Sequence, residues 1–178
     1  MENPRSQTKV AMTYGLMYGL ASAVVMLLFY FMNTDVKSKA PQYIGWLLLI
    51  AFIVAGTKSY RDTDLGGFIG YGKALGTGTL ISIFGGVITG AFTLLFFTFI
   101  APEMTQKILD MSQQQLMDQG MSEDQIAVAM DYTKKFMTPT WLFIFSIVGS
   151  AFIGFIFSLI TSIFLKKEQN PFGTNSIG

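Results

Sequence analysis

The chain has 178 residues, of which 51% are hydrophobic and only 13% are charged, against about 25% charged in ordinary soluble domains. Its net charge of +1 argues against a polybasic surface, so we expect no nucleic-acid partner. The absence of Cys and His removes thiol nucleophiles, disulfides and the commonest zinc ligands. We therefore expect no enzyme, no catalytic residue, no cofactor and no metal site.

Charge-free stretches predict membrane spans. None of the 12 basic and 11 acidic residues lies in four apolar runs of the sequence. Three of these runs exceed the roughly 20 residues that cross about 30 Å of hydrocarbon, and the first is too long for the core of a cleaved signal peptide. The sequence therefore predicts an all-α membrane protein with four transmembrane helices, at about residues 10–32, 43–57, 75–100 and 140–165.

The second run, residues 43–57, is the shortest and reaches only about 22 Å at helical rise. It spans the bilayer only if flanking residues help, and Tyr43 and Trp46 on one side with Lys58 on the other are suited to the interfaces. A re-entrant or buried segment is the alternative for this run.

Basic residues outside the spans predict the orientation. With four spans, seven basic residues fall on one side and five on the other, which favours a cytoplasmic C-terminus. Three spans give the same ratio and move the N-terminus outside, so the side of the N-terminus stays open. The seven are Arg5, Lys9, Lys58, Arg61, Lys73, Lys166 and Lys167.

Small residues recur every four positions in the first, third and fourth spans, and so form a stripe along one face of each helix. Helices associate in lipid through such small side chains, so the stripes predict helix packing. Whether they meet within one chain or between the chains of a homo-oligomer stays open. Phe96 is expected to face lipid. The predicted packing residues are Gly15, Gly19, Gly78, Ser82, Gly86, Gly90, Ser150, Gly154 and Ser158.

The predicted spans contain no ionisable Asp, Glu, Lys, Arg or His side chain, which argues against an ion-coupled transporter. Ser, Thr and Gly side chains are compatible with a pore built from several copies. A small-solute channel or transporter formed by oligomerisation is therefore the alternative function.

Two weak motifs lie between the second and third spans. Residues 67–74 nearly fit the phosphate-binding loop, but Ala74 stands where a Ser or Thr should bind magnesium. Asp62 and Asp64 fit a calcium loop whose essential Glu is replaced by Lys73. We interpret Arg61 with Asp62 and Asp64 as a solvated charge cluster, with an ionic contact to another loop as the alternative. We interpret the glycines as a tight turn. The candidate residues of this interfacial loop are Arg61, Asp62, Gly67 and Lys73.

The largest segment outside the spans, residues 102–137, has the pattern of a helical hairpin. Gly120 fits a helix stop, and Ser122 with Gln125 forms a capping-box pattern. The segment holds six methionines, which suit an adaptable apolar face better than a copper site. We expect an acidic extramembrane hairpin that binds another envelope protein, with a purely structural cap as the alternative.

Five short segments are similar to the bacterial membrane family catalogued as domain of unknown function 4199. The resemblance covers Thr8–Lys167 and implies four transmembrane helices with a helical insertion before the last. It implies no activity. The segments are Tyr60–Asp62, Gly66–Gly67, Gly72–Leu75, Gln119–Ile126 and Lys134–Met137.

Residues 1–167 are therefore predicted to form a single transmembrane domain, followed by a disordered tail at 168–178. Its partners are the lipid bilayer, another envelope protein and, as an open alternative, copies of itself. The expected function is that of a packing or partner-binding subunit of an envelope assembly.

Overall fold

The computed structural model describes residues 4–35 and 37–168, so most of the predicted tail lies outside the described residues. The described part is helical, and its β-pairing is a bridge between Ile69 and Lys167. Two π-helical turns, Tyr60–Asp64 and Phe96–Ile100, extend the second and third helices. The α-helices are α1 (Gln7–Phe31), α2 (Ala40–Ser59), α3 (Tyr71–Leu95), α4 (Glu103–Asp118), α5 (Glu123–Phe136) and α6 (Pro139–Leu165).

Four helices, α1, α2, α3 and α6, are long and apolar enough to cross a membrane. The prediction of an all-helical chain with four such helices is confirmed. The second of them is longer than residues 43–57, because the helix starts at Ala40 and continues through its π-helical turn to Asp64. Pro41 suits a first helical turn, and Lys58 stays helical. The charge-free run thus marked only the most apolar part of the helix.

Local sequence signals set several helix ends. The Ser6 hydroxyl accepts a hydrogen bond from the backbone N–H of Lys9 at the start of α1. Ser122 and Gln125 form the predicted capping box at the start of α5. Between α4 and α5, Gly120 has a φ of +76°, a conformation that glycine adopts without strain.

The α3 helix lies at the centre of the bundle and packs mainly against α6 and α1, while α2 contacts all three. The main apolar cluster joins Tyr18 of α1, Leu49 and Ile53 of α2 and Ile81 of α3. Large apolar side chains also cover the outside of the bundle, as with Phe164, which is 79% exposed. Helices that are apolar all round are typical of membrane spans.

The shorter helices α4 and α5 pack on each other. Leu109 of α4 and Ile126 and Met130 of α5 form their shared buried cluster. The end of α5 also contacts the start of α6, where the Phe136 and Trp141 rings lie 5.4 Å apart.

Candidate functional site

The small-residue stripes of α3 and α6 face each other within one chain. A methyl group on Gly86 would lie 2.7 Å from the Cβ of Ser150, and one on Gly90 would lie 3.2 Å from the Cβ of Ser146. In the same way, a methyl group on Gly78 would clash with Ser158, and one on Gly154 would clash with Ser82. Along this contact a glycine on one helix therefore lies opposite a serine on the other, which leaves no room for a larger side chain.

The stripe of α1 faces α3. A methyl group on Gly15 would lie 2.7 Å from the Cβ of Phe84 and 2.9 Å from the carbonyl oxygen of Ile81. One on Gly19 would lie 2.5 Å from the Cβ of Ile88. Each predicted packing residue thus lies where two helices of this chain approach closely.

The expectation that Phe96 faces lipid is wrong. Its side chain is only 2% exposed and packs edge-on against Tyr30, with ring centroids 5.3 Å apart. Phe96 begins the π-helical turn after α3. The physical reason is its position on the helix: Phe96 lies about three α-helical turns after Gly85, and Gly85 faces Tyr18 of α1. Phe96 is therefore on the face of α3 that packs against α1.

The predicted interfacial loop is more ordered than a solvated cluster. Arg61 forms an ion pair with Asp62 at 2.6 Å and donates from Nη1 to the carbonyl of Leu165 at 3.1 Å. The Asp64 side chain is only 3% exposed, and it pairs with Arg5 at 2.9 Å. The interpretation as a solvated cluster is therefore wrong for Asp64. Its ion pair with Arg5 of the N-terminal segment agrees instead with the alternative, an ionic contact to another part of the chain.

Two other loop residues lie close to their predicted places. Gly67 has a φ of +91° and Gly66 one of +66°, so the glycines form the predicted tight turn. Lys73 lies in the first turn of α3. Among the described residues, no group of three or more Asp or Glu side chains is arranged to hold a metal ion.

The N-terminal segment, the α2–α3 loop and the end of α6 meet at one end of the bundle. Arg5 contacts Asp64, while Ile69 and Lys167 exchange two backbone hydrogen bonds of 2.9 Å. The Nζ of Lys167 also lies 5.5 Å from the ring centroid of Phe68. The sequence allowed an ionic contact of this loop as an alternative but did not identify the partners, because they are distant along the chain.

A cavity of about 500 Å³ lies near the other end of the bundle, between α1, α2 and α3. Along α1 it extends from Tyr18 to Tyr30, which is about 18 Å at helical rise. Its middle is apolar and includes Met26, Phe29 and Leu48. The sequence analysis missed this cavity, although the polar residues of α1 that lie off the glycine stripe were a local signal.

Polar groups lie at both ends of the cavity. The outer end is lined by residues of the α1–α2 connection, among them Asn33 and Asp35, and by Lys107 of α4. The inner end is lined by Tyr18 and Thr89, and the buried Thr89 hydroxyl has no hydrogen-bond partner among the described residues. The cavity therefore combines an apolar passage with polar ends.

The start of α4 contacts the same region. Glu103 accepts a hydrogen bond of 3.0 Å from the Tyr30 hydroxyl. The next residue, Met104, lines the cavity, and so does Lys107 one turn further on. This hydrogen bond joins α4 to α1 beside the outer end of the cavity.

A groove of about 510 Å³ lies between α4 and α5. Its lining includes the apolar Met117, Ile126 and Met130 and the charged Asp131 and Lys134.

Three of the six methionines of this segment pack into the cluster shared by α4 and α5. Met130 is buried, and Met121 and Met137 pack against the cluster shared by α4 and α5. Met117 remains 47% exposed.

The chain matches one family model over residues 13–167, and that family is described as a protein of unknown function (DUF4199). No curated protein and no solved structure matches it. The match covers most of α1 and all of α2, α3 and α6, and it confirms the resemblance found in the sequence. The chain therefore belongs to the DUF4199 family.

Proposed function

We propose that this chain is a non-enzymatic membrane protein of a bacterial envelope that binds another envelope protein through α4 and α5. In this proposal the two helices form an extramembrane hairpin, residues 102–137, inserted between the third and fourth spans. The groove between them is the observation that carries the proposal.

The composition of the groove suits an amphipathic helix. Its apolar floor contains Met117 and Ile126, and charged side chains line it as well. Helices that bind in grooves use residues on one face to fill such a floor. A flexible, exposed Met side chain adapts to the shape of a partner.

The charge of the hairpin indicates which partners it prefers. Residues 102–137 include six acidic and three basic residues, so the segment has a net negative charge. An acidic surface attracts a basic partner and raises the rate of association more than the affinity. We therefore propose that the partner presents a basic amphipathic helix.

Orientation follows from the basic residues. Arg5, Arg61 and Lys167 belong to the contacts at one end of the bundle, and they are part of the more basic side. The positive-inside rule favours the cytoplasm for this side. We propose that both termini are cytoplasmic, in the inner membrane, and that α4 and α5 lie outside.

The stripe contacts support a bundle complete within one chain. Gly78, Gly86 and Gly154 each have a serine of this chain opposite them. We propose that the stripes stabilise the chain itself and leave partner binding to α4 and α5.

The test replaces Glu103–Phe136 with a flexible Gly/Ser linker. We expect the protein to insert into the membrane and to lose its co-purifying partner, because the groove is gone. Membrane fractionation checks insertion, and affinity purification with mass spectrometry checks the partner.

A point variant makes the test sharper. Met117→Glu introduces a charge into the groove, whereas Gln115→Glu adds the same charge at an exposed position of α4. The protein lost with Met117→Glu should also crosslink to a photoreactive residue at position 117. Equal partner recovery with both variants would contradict the docking proposal.

A further inference from the structure

The cavity between α1, α2 and α3 has the shape and chemistry of a site for one acyl chain. Its volume of about 500 Å³ lies within the range of about 300–1,000 Å³ that is usual for ligand sites. It extends about 18 Å along α1, with an apolar middle that includes Val25, Phe29 and Phe97. An elongated apolar cavity accommodates a linear chain better than a compact ring system.

The outer end supplies the groups for a polar head. Asn33, Ser38 and Gln42 line it together with the two charged residues Asp35 and Lys107. The Asp35 carboxylate already accepts a hydrogen bond of 2.8 Å from the backbone N–H of Lys37. Lys107 forms no ion pair with any described residue. Asp35 keeps its negative charge, because a backbone N–H is neutral. Lys107 is the residue of the cavity lining that can pair with an anion, so its ammonium group favours a head group that carries a carboxylate or a phosphate.

The start of α4 places Lys107 at this end. Tyr30, which lines the cavity, donates its hydroxyl to Glu103, and Lys107 lies one turn along the same helix. The hydrogen bond between Tyr30 of α1 and Glu103 of α4 thus fixes the position of Lys107 relative to the cavity wall.

We propose that this cavity binds a single-chain amphiphile, with the acyl chain between α1 and α2 and an anionic head group at Lys107. The shared chemistry is one long alkyl chain with a carboxylate or a phosphate. A free fatty acid and a lysophospholipid are the two sources. This site is separate from the α4–α5 groove and does not depend on the docking proposal.

The experiment uses the full chain in nanodiscs and two photoactivatable probes, a palmitate and a lysophosphatidylglycerol. We expect at least one probe to crosslink to the cavity walls in α1 and α2, and excess unlabelled amphiphile to compete. The probe that labels identifies the source of the head group. Labelling by neither probe would overturn the proposal.

A cavity-filling variant provides the main comparison. Gly45 lines the cavity, and a Cβ there would meet no atom within 4 Å, so Gly45→Phe fills space without a backbone clash. Gly149 of α6 has equally open surroundings and serves as the matched control. We expect Gly45→Phe to reduce crosslinking about tenfold and Gly149→Phe to leave it unchanged. Equal yields from the two variants would overturn the proposal.

A charge variant tests the head group. Lys107 is exposed, so Lys107→Glu should leave the fold intact, as a thermal melt would verify. We expect it to weaken crosslinking of both anionic probes and to spare an uncharged monoacylglycerol probe. An equal loss for charged and uncharged probes would contradict the assignment of Lys107. If Gly45→Phe melts at a lower temperature than Gly149→Phe, the result with Lys107→Glu decides the test.

The orientation of the ligand has its own test. The Thr89 hydroxyl is unpartnered at the inner end, and Thr89→Val replaces it with an apolar group of similar shape. With the tail inward, crosslinking should be unchanged or stronger, because an unsatisfied hydroxyl beside a hydrocarbon chain is unfavourable. A clear loss would show a polar ligand group at Thr89 and overturn this orientation.

Discussion

Asp64 accepts three hydrogen bonds from Arg5, one from its backbone N–H at 2.7 Å and two from its guanidinium at 2.9 and 3.2 Å. The acceptor side chain is nearly buried, whereas Arg5 is 32% exposed. An ion pair gains strength when solvent is excluded and several hydrogen bonds fix its geometry. This contact fastens the segment before α1 to the loop before α3.

A double-mutant cycle with Arg5→Gln and Asp64→Asn should give a coupling energy of about 1–2 kcal/mol. The reason is that either change alone leaves a partner without its charged hydrogen bonds. Reversible unfolding in detergent micelles measures the four free energies. The exposed pair of Lys135 with Asp131 is the control and should couple much more weakly. A coupling no larger than this control would contradict the structural role of the pair.

At the scale of the elements, the contact between α3 and α6 depends on its small residues. Gly86 faces Ser150 and Gly154 faces Ser82, with no space for an added side chain. Because lipid offers little hydrophobic gain from pairing helices, close packing has to supply the stability. The alternation of glycine and serine therefore sets the distance between the two helices.

We predict that Gly86→Leu and Gly154→Leu each reduce the free energy of unfolding by about 1–3 kcal/mol, because the larger side chain forces the helices apart. Unfolding in micelles measures the loss. Gly149→Leu is the control, since that position is open and has the same gain in helix propensity. Equal stability of all three variants would mean that this contact is not tightly packed.

At the scale of the whole molecule, contacts among distant segments define two ends. Arg5, Asp64, Ile69 and Lys167 meet at one end. Tyr30 and Glu103 join the end of α1 to the start of α4 at the other. The chain leaves this end along α1 and returns to it along α2, so the N-terminal segment and the α2–α3 loop lie at the same end. A four-span chain requires this arrangement.

The native chain has no Cys, so single cysteines report the topology directly. We predict that Lys39→Cys and Gln119→Cys react with an impermeant thiol reagent on intact cells. Thr63→Cys and Glu168→Cys should react only after the membrane is opened, because the more basic end is retained in the cytoplasm. Labelling of positions 39 and 63 from the same side would contradict a membrane-crossing α2.

The local sequence predicted much of the fold. Charge-free runs located four membrane-length helices, and the Ser122–Gln125 capping box and Gly120 located the break between α4 and α5. These features depend on residues close together in the chain, so their physical cause can be read from spacing. The cavity was harder to predict from the sequence, because its walls come from three helices and part of α4.

The sequence by itself determined the number and type of the helices, because hydrocarbon imposes a minimum apolar length and forces backbone groups to bond within a helix. It also determined which residues are small enough for close contact. Only the tertiary structure decided that the α3 and α6 stripes meet within one chain, that Asp64 pairs with Arg5 and that Phe96 is buried. Those outcomes depend on which helix lies opposite each face, and a periodic pattern marks a face without naming its partner.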